Sequence, residues 1–219
     1  MSVAHATTRD GHADHFESLE QQAHAARLGM WVFLASELLL FAGLFALYCG
    51  YRAHSPAVFA AAVGHNPRAL GTLNTAILIC SSYAVAMAVH ALRVRRPAVT
   101  VMLLATAVLI GAVFLVVKFA EYRLHFHEGI YPGGHGQFFT AHADPAFAVF
   151  YTLYFLMTGL HAVHVVIGMT VLVWLLWRVA RGTVNPARDH PLTLGAIYWH
   201  LVDLIWIFLW PMFYLMHGR

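Results

Sequence analysis

The chain has 219 residues, of which 60% are hydrophobic and only 11% are charged, with a formal net charge of +3. Charged residues make up about a quarter of an ordinary soluble domain, so this composition excludes that class and predicts a polytopic, almost entirely helical membrane protein. The small positive charge is spread over separate loops, which also excludes a nucleic-acid-binding surface. Cys49 and Cys80 fall within apolar stretches, where we expect them to pack rather than to form a disulfide.

Residues 1–26 form a polar segment without an apolar core. We expect it to be flexible up to about Phe16, where an amphipathic stretch begins. It does not have the pattern of a signal peptide, so the first span itself is expected to direct insertion. A metal site on its histidines is conceivable, but a solvated tail is the simpler interpretation; these histidines are His5, His12, His15 and His24.

Residues 27–217 contain five apolar stretches and predict an all-α bundle of five transmembrane helices. About 20 helical residues cross the hydrocarbon core of a bilayer. The predicted spans are residues 28–51, 70–92, 98–122, 146–179 and 194–217. The segments between them, including residues 52–69, are predicted loops. The loop at residues 123–145 is rich in glycine and histidine, and a loop of that length is expected to be functional or docked on something.

The arginines predict a cytoplasmic N-terminus and a periplasmic C-terminus. Short cytoplasmic loops concentrate basic residues. The two short loops of this chain carry three arginines each, namely Arg93, Arg95 and Arg96, and Arg178, Arg181 and Arg188. An odd number of spans then places the two termini on opposite sides.

Glu37 lies near the middle of the first span. An intramembrane carboxylate is costly, so it should face protein or water and find a partner. With the predicted topology, the fourth span brings His161 and His164, which are one turn apart, to a similar depth. We therefore predict an intramembrane polar cluster in which Glu37 pairs with His161 or His164.

Two further pairs are spaced three residues apart. His200 and Asp203 share a face of the last span and form a second predicted polar cluster. Lys118 and Glu121, near the end of the third span, are interpreted as local charge pairing at the membrane edge rather than as a site. The histidines of residues 123–145 lack a tight ligand spacing, so no metal site is predicted there.

Three interpretations of the buried polar groups stay open on the residues alone. Haem ligation needs two histidines at matching depth on different helices, and His90 is badly placed to face His161. A proton or ion path would use intramembrane ionisable groups, and a stand-alone channel or transporter is the corresponding alternative function. Structural pairs would fix helix register or bind lipid head groups or a neighbouring subunit, and this interpretation is favoured.

The motifs, in their order along the chain, resemble subunit III of haem-copper cytochrome c oxidases. They are FLASELLLF with Ser36 and Glu37, LNTAILICSS from Leu73, the Glu121-Tyr122 pair, TGLHAVHVVIG from Thr158, and YWHLVDLIWIFLW from Tyr198. The resemblance covers residues 27–217 and is to the five-span bacterial type. The seven-span mitochondrial form has two additional spans at its start, which wall a lipid-filled cleft.

The resemblance implies a subunit of the bacterial cytoplasmic (inner) membrane with no catalytic residues, no metal and no cofactor of its own. Haem and copper are expected in partner subunits. Subunit I, which reduces oxygen and pumps protons, is the expected main partner, with subunit II and small auxiliary subunits. The family also binds phospholipids tightly, sustains proton uptake into subunit I and protects the complex during turnover. Its glutamate matching Glu37 is the carboxylate that reacts with carbodiimides.

Related five-span proteins occur in quinol oxidases and beside nitric oxide reductases. An aspartate tends to stand at the Ser36-Glu37 position in the quinol-oxidase versions, so the resemblance favours a cytochrome c oxidase. The sequence of this subunit does not itself identify the electron donor.

Overall fold

A computed structural model describes residues 19–184, 186 and 189–216, which are helical apart from short connections and contain no strand. The helices are α1 (Leu19–His54), α2 (Pro56–His65), α3 (Arg68–Arg93), α4 (Pro97–His127), α5 (Gln137–Ala141), α6 (Pro145–Ala180), α7 (His190–Trp210) and a π-helical segment (Pro211–Leu215). Within these described residues, five helices are long and apolar enough to cross a membrane, when α7 and the π-helical segment count as one. The prediction of an all-α bundle with five spans is therefore confirmed, whereas the side on which each terminus lies stays a prediction.

The helices are longer than the sequence predicted, and one predicted loop contains a helix. α1 begins at Leu19, inside the polar segment, and α2 occupies most of residues 52–69. Pro56 stands in the first turn of α2, where its missing N–H costs nothing. The prolines of this segment therefore delimit a helix, whose alanine-rich sequence favours the helical state. His5, His12, His15 and Arg188 lie outside the described residues.

Residues 123–145 are less irregular than the sequence suggests. α4 continues to His127, and the short helix α5 folds between the glycines. Gly136 has a φ of 124°, and a Cβ there would overlap the carbonyl oxygen of Gly129. The segment is docked on α6, since the backbone N–H of Gly133 donates to Oγ1 of Thr152 at 3.0 Å. Ile130 is fully buried and fixes the same segment on the bundle.

α7 lies at the centre of the bundle and α1 at its edge. Over the most apolar part of each span, 56% of the residues are buried in the last span and 17% in the first. Trp199 of α7 fills the space left by two glycines: a Cβ on Gly168 of α6 would lie 2.8 Å from its ring, and one on Gly111 of α4 would lie 3.1 Å away. Small residues thus let these helices approach closely, which is typical of membrane bundles.

Side chains of α1 and of the α2–α3 connection hydrogen-bond to the π-helical segment at the end of the last span, and we call this set of contacts the clasp. Pro211 lacks a backbone N–H, and the regular helix ends there. The carbonyl oxygens beyond it accept side-chain donors from earlier elements: Tyr48 donates to Met212 at 2.6 Å and Asn66 to Phe213 at 2.9 Å. Arg52 donates in the same way to the carbonyl of Met216 at 2.7 Å. The structure thus places a π-helical turn directly after the last regular helix.

Candidate functional site

Glu37 and His164 form a short contact between α1 and α6. Nε2 of His164 lies 2.7 Å from Oε2 of Glu37, and the two side chains are only 10% and 17% exposed. Nδ1 of His164 lies 2.8 Å from the carbonyl oxygen of Leu160. The structure thus brings together two members of the first predicted polar cluster.

The hydrogen bonds fix the number of protons in this pair. A carbonyl oxygen can only accept, so Nδ1 of His164 must carry the hydrogen that it donates to Leu160. In a neutral imidazole, Nε2 is then a bare acceptor, and a bare acceptor repels an ionised carboxylate. The contact with Glu37 therefore holds one further proton, either on the carboxyl group or on Nε2. The pair is neutral overall in both forms.

His161 does not join this pair. Its ring is fully buried and packs against Phe114 of α4 and Trp206 of α7, with ring centroids 5.7 and 5.1 Å away. Neither ring nitrogen has a hydrogen-bond partner among the described residues. Three residues of α-helix turn through about 300°, so side chains at this spacing diverge by about 60°. That divergence points His164 to α1 and His161 into the core, so His164 is the histidine of the predicted cluster that contacts Glu37.

Lys118 and Glu121 lie inside the bundle. Lys118 is 2% exposed and Glu121 is fully buried. Nζ of Lys118 lies 3.1 Å from Oε2 of Glu121 and donates to the hydroxyls of Tyr154 and Tyr214 at 2.9 and 2.7 Å. Both hydroxyls in turn donate to Oε1 of Glu121 at 2.6 Å. We call these four residues the Lys118 network; it joins α4, α6 and the π-helical segment.

The Lys118 network is a closed unit. An ammonium group has three donors, and each has an acceptor here, while each tyrosine hydroxyl accepts from Lys118 and donates to Glu121. A buried ion pair is tolerated when its remaining hydrogen-bonding capacity is satisfied in this way. The predicted pairing of Lys118 with Glu121 is therefore present, and aromatic residues of other helices cover both charges. Sequence reasoning missed Tyr154 and Tyr214, although Tyr154 lies on the inward face that also carries Thr158 and His161.

His200 and Asp203 line the same groove without bonding each other. Nδ1 of His200 lies 2.6 Å from Oγ of Ser82 on α3. The Asp203 carboxylate lies near Ser82, but neither of its oxygens makes a hydrogen bond within ordinary limits to the described residues. The groove has a volume of about 340 Å³. We call it the α3–α7 groove.

Within the described residues, no three histidine, cysteine, aspartate or glutamate side chains come together in a way that could hold a metal ion. Cys49 and Cys80 are both free thiols at the surface of the bundle. The described chemistry therefore consists of proton-holding pairs and hydrogen-bonded networks. Fold and site together define a multi-pass helical membrane protein that contains a buried Glu37–His164 pair and the buried Lys118 network.

Comparison with known proteins identifies the family within this class. The family described as cytochrome c oxidase subunit III matches residues 8–218. The quinol oxidase subunit 3 of Bacillus spizizenii is 28% identical, over 94% of this chain and 97% of that protein. The cytochrome c oxidase subunit 3 of Pelomedusa subrufa is 30% identical, over 86% of this chain and 68% of that protein. The chain belongs to the cytochrome c oxidase subunit III family.

Membership makes the chain an oxidase subunit III, which associates with other oxidase subunits in a membrane complex. The similar proteins include subunits of both quinol oxidases and cytochrome c oxidases. The choice of a cytochrome c oxidase made from the Ser36-Glu37 position is therefore not settled by family membership.

Proposed function

We propose that this chain is a non-catalytic subunit III of a respiratory terminal oxidase in the bacterial cytoplasmic membrane. It packs on subunit I and supports oxygen reduction coupled to proton pumping in that subunit. The observation that carries the proposal is the Lys118 network, in which every donor of the buried ammonium group is used within the chain. A network closed in this way holds helices together and has no free group for a substrate.

The Glu37–His164 pair supports the same role. It joins the outlying helix α1 to α6 at the edge of the bundle, and no other titratable side chain hydrogen-bonds to its carboxyl or imidazole atoms among the described residues. The Tyr198 hydroxyl donates only to the backbone carbonyl of His164, at 3.4 Å. A proton held there has no described chain of groups to follow. Glu37→Gln in the assembled oxidase should leave the initial rate of oxygen consumption nearly intact. Abolition of turnover by this change would assign Glu37 to an obligatory proton path instead.

The chain binds no haem or copper of its own in this proposal, since those groups belong to the partner subunits, and it carries structural phospholipids. Purification through a tag on this chain tests it. We expect haem-containing subunits in the purified complex and no Soret absorption from the chain when it is isolated. Stoichiometric haem in the isolated chain would overturn the proposal. Ion flux through the chain reconstituted alone would favour a stand-alone transporter.

The electron donor is a finer part of the proposal. The residues at Ser36-Glu37 favour cytochrome c, whereas the match to quinol oxidase subunit 3 covers nearly all of both proteins and favours a quinol. We propose cytochrome c as donor, with the quinol oxidase as the second candidate. Oxygen consumption by the purified complex, measured with reduced cytochrome c and with a quinol, separates the two.

A further inference from the structure

The α3–α7 groove opens to the lipid-facing surface of the bundle. Its rim carries large apolar or aromatic side chains that are strongly exposed, namely Ile79 at 54%, Tyr83 at 67% and Ile207 at 44%. Between these residues the α3 side of the groove carries two small ones, Ser82 and Ala86. Small residues flanked by larger ones let a second helix approach closely in a membrane.

One polar group in this groove has no partner. Asp203 is only 5% exposed, and both of its carboxylate oxygens are buried without a hydrogen bond from the described residues. Ser82 lies near the carboxylate, but the short contact of its Oγ, at 2.6 Å, is to Nδ1 of His200. Nε1 of Trp206 donates to Oγ1 of Thr75 at 3.1 Å. Buried polar groups are almost always hydrogen-bonded, and one serine hydroxyl can donate to only one oxygen, so at least one donor to the Asp203 carboxylate is missing from the described residues.

The depth of Asp203 decides what kind of donor can reach it. Asp203 lies at the middle of the span His190–Leu215, about 20 Å from the start of that span at 1.5 Å per residue. The hydrocarbon core is about 30 Å thick, so lipid head groups and bulk water lie well away from this position. The donor must therefore come from protein inside the membrane.

We propose that the α3–α7 groove receives a transmembrane helix of another oxidase subunit, and that this helix presents a hydrogen-bond donor to Asp203. The donor is a hydroxyl, amide, indole or basic side chain, because each of these can donate to a carboxyl oxygen. The inference rests on the proposed function, which supplies neighbouring subunits, and adds to it the face and the residue that meet one of them.

Photo-crosslinking in the assembled oxidase tests the interface. p-Benzoylphenylalanine replaces Tyr83 or Ile207 in a tagged chain, and Val116 of α4, which is 67% exposed outside the groove, serves as the matched control. After irradiation, we expect adducts with another oxidase subunit from both groove positions, at least fivefold more than from the control. Adducts with lipid alone, adducts with a second copy of this chain, or a yield no higher than the control would overturn the inference.

The two proposals fail in different ways. If haem-containing subunits co-purify but the groove gives no such adduct, the interface is wrong and the proposed function stands. If no haem-containing subunit co-purifies, the proposed function fails and the interface fails with it.

A second set of variants tests the part played by the carboxylate. Asp203→Leu should lower the yield of the Tyr83 adduct at least fivefold, while Thr106→Val, a polar-to-apolar change on the exposed face of α4, should leave it unchanged. An unchanged yield in the Asp203→Leu variant would overturn the role of the carboxylate. Asp203→Asn keeps the side-chain shape and one acceptor oxygen, so this variant should retain at least half of the Tyr83 adduct yield. Complete loss in that variant, with the chain still present in the complex, would contradict a role as hydrogen-bond acceptor.

Discussion

Glu37 and His164, whose facing side-chain atoms lie 2.7 Å apart, join the outlying helix α1 to α6 through one short hydrogen bond. The contact differs from a surface ion pair, because it is neutral as a unit and needs no water to balance its charge. A neutral hydrogen-bonded pair avoids most of the free-energy cost of placing a charge in hydrocarbon, so the Glu37–His164 contact can be stable next to lipid.

Carbodiimide labelling should distinguish the two buried glutamates. These reagents attack protonated carboxyl groups, and an apolar carbodiimide arrives through lipid. The Glu37 side chain is 17% exposed on α1, whereas that of Glu121 is fully enclosed. We expect label on Glu37 and none on Glu121, as measured by mass spectrometry of peptides.

The partner histidine should control the rate of that labelling. His164→Leu removes the short hydrogen bond to the Glu37 carboxyl and leaves that group facing an apolar side chain, where an unpaired carboxylate is costly, so we expect faster modification. His200→Leu is the control, and its rate should match that of the unchanged protein. Slower labelling in the His164→Leu variant would contradict this role of the hydrogen bond.

Breaking the Lys118 network on one side should cost more than removing the whole ion pair. Lys118→Met leaves the Glu121 carboxylate buried without its cation, and loss of one partner of a buried pair costs about 3–5 kcal/mol. The double variant Lys118→Met with Glu121→Gln removes both charges and should recover a large part of that loss. The free energy of unfolding in mixed micelles measures both effects. A double variant less stable than the single one would show that the charges themselves are favourable.

Glycine at position 168 should be required for packing. A Cβ there would lie 2.8 Å from the ring of Trp199, a buried residue with little room to move. Gly168→Ala should therefore destabilise the bundle by about 1–3 kcal/mol through overpacking. Gly43→Ala on α1 is the matched control, because a Cβ at that position meets nothing within 4 Å. Equal stabilities of the two variants, measured by thermal unfolding in detergent, would contradict close contact between α6 and α7.

Orientation in the membrane can be tested with reporter fusions. The arginines of the α3–α4 connection predict that this turn is cytoplasmic. A phosphatase active only in the periplasm should be inactive when fused after Arg95 and active when fused after Gly133. The opposite pattern would reverse the predicted topology.

The lengths of the apolar stretches were enough to predict five spans, because a single apolar stretch that crosses a bilayer satisfies its backbone hydrogen bonds as a helix. The pairing of Glu37 with the fourth span was also predictable, since depth along two helices follows from residue count alone. Which of His161 and His164 takes the contact was not, because that choice depends on how α6 is rotated against α1.

The surroundings of Lys118 were harder to predict. Its spacing from Glu121 revealed the ion pair, but spacing within one helix cannot show what covers it. The cover comes from Tyr154 on α6 and from Tyr214, whose direction is set by the π-helical turn after Pro211. A local irregularity near the end of the chain thus decides whether a charge in the middle of the chain is buried.

The clasp at the π-helical segment has a consequence for biosynthesis. Tyr48 and Arg52, on the first span, donate to carbonyl oxygens of Met212 and Met216, each of which is made 164 residues later. Until the last span has been synthesised, the first span cannot form its hydrogen bonds to Met212 and Met216. Helix α1 is therefore secured after synthesis of the last span, and a chain that ends before Pro211 should leave the first span exposed to membrane proteases.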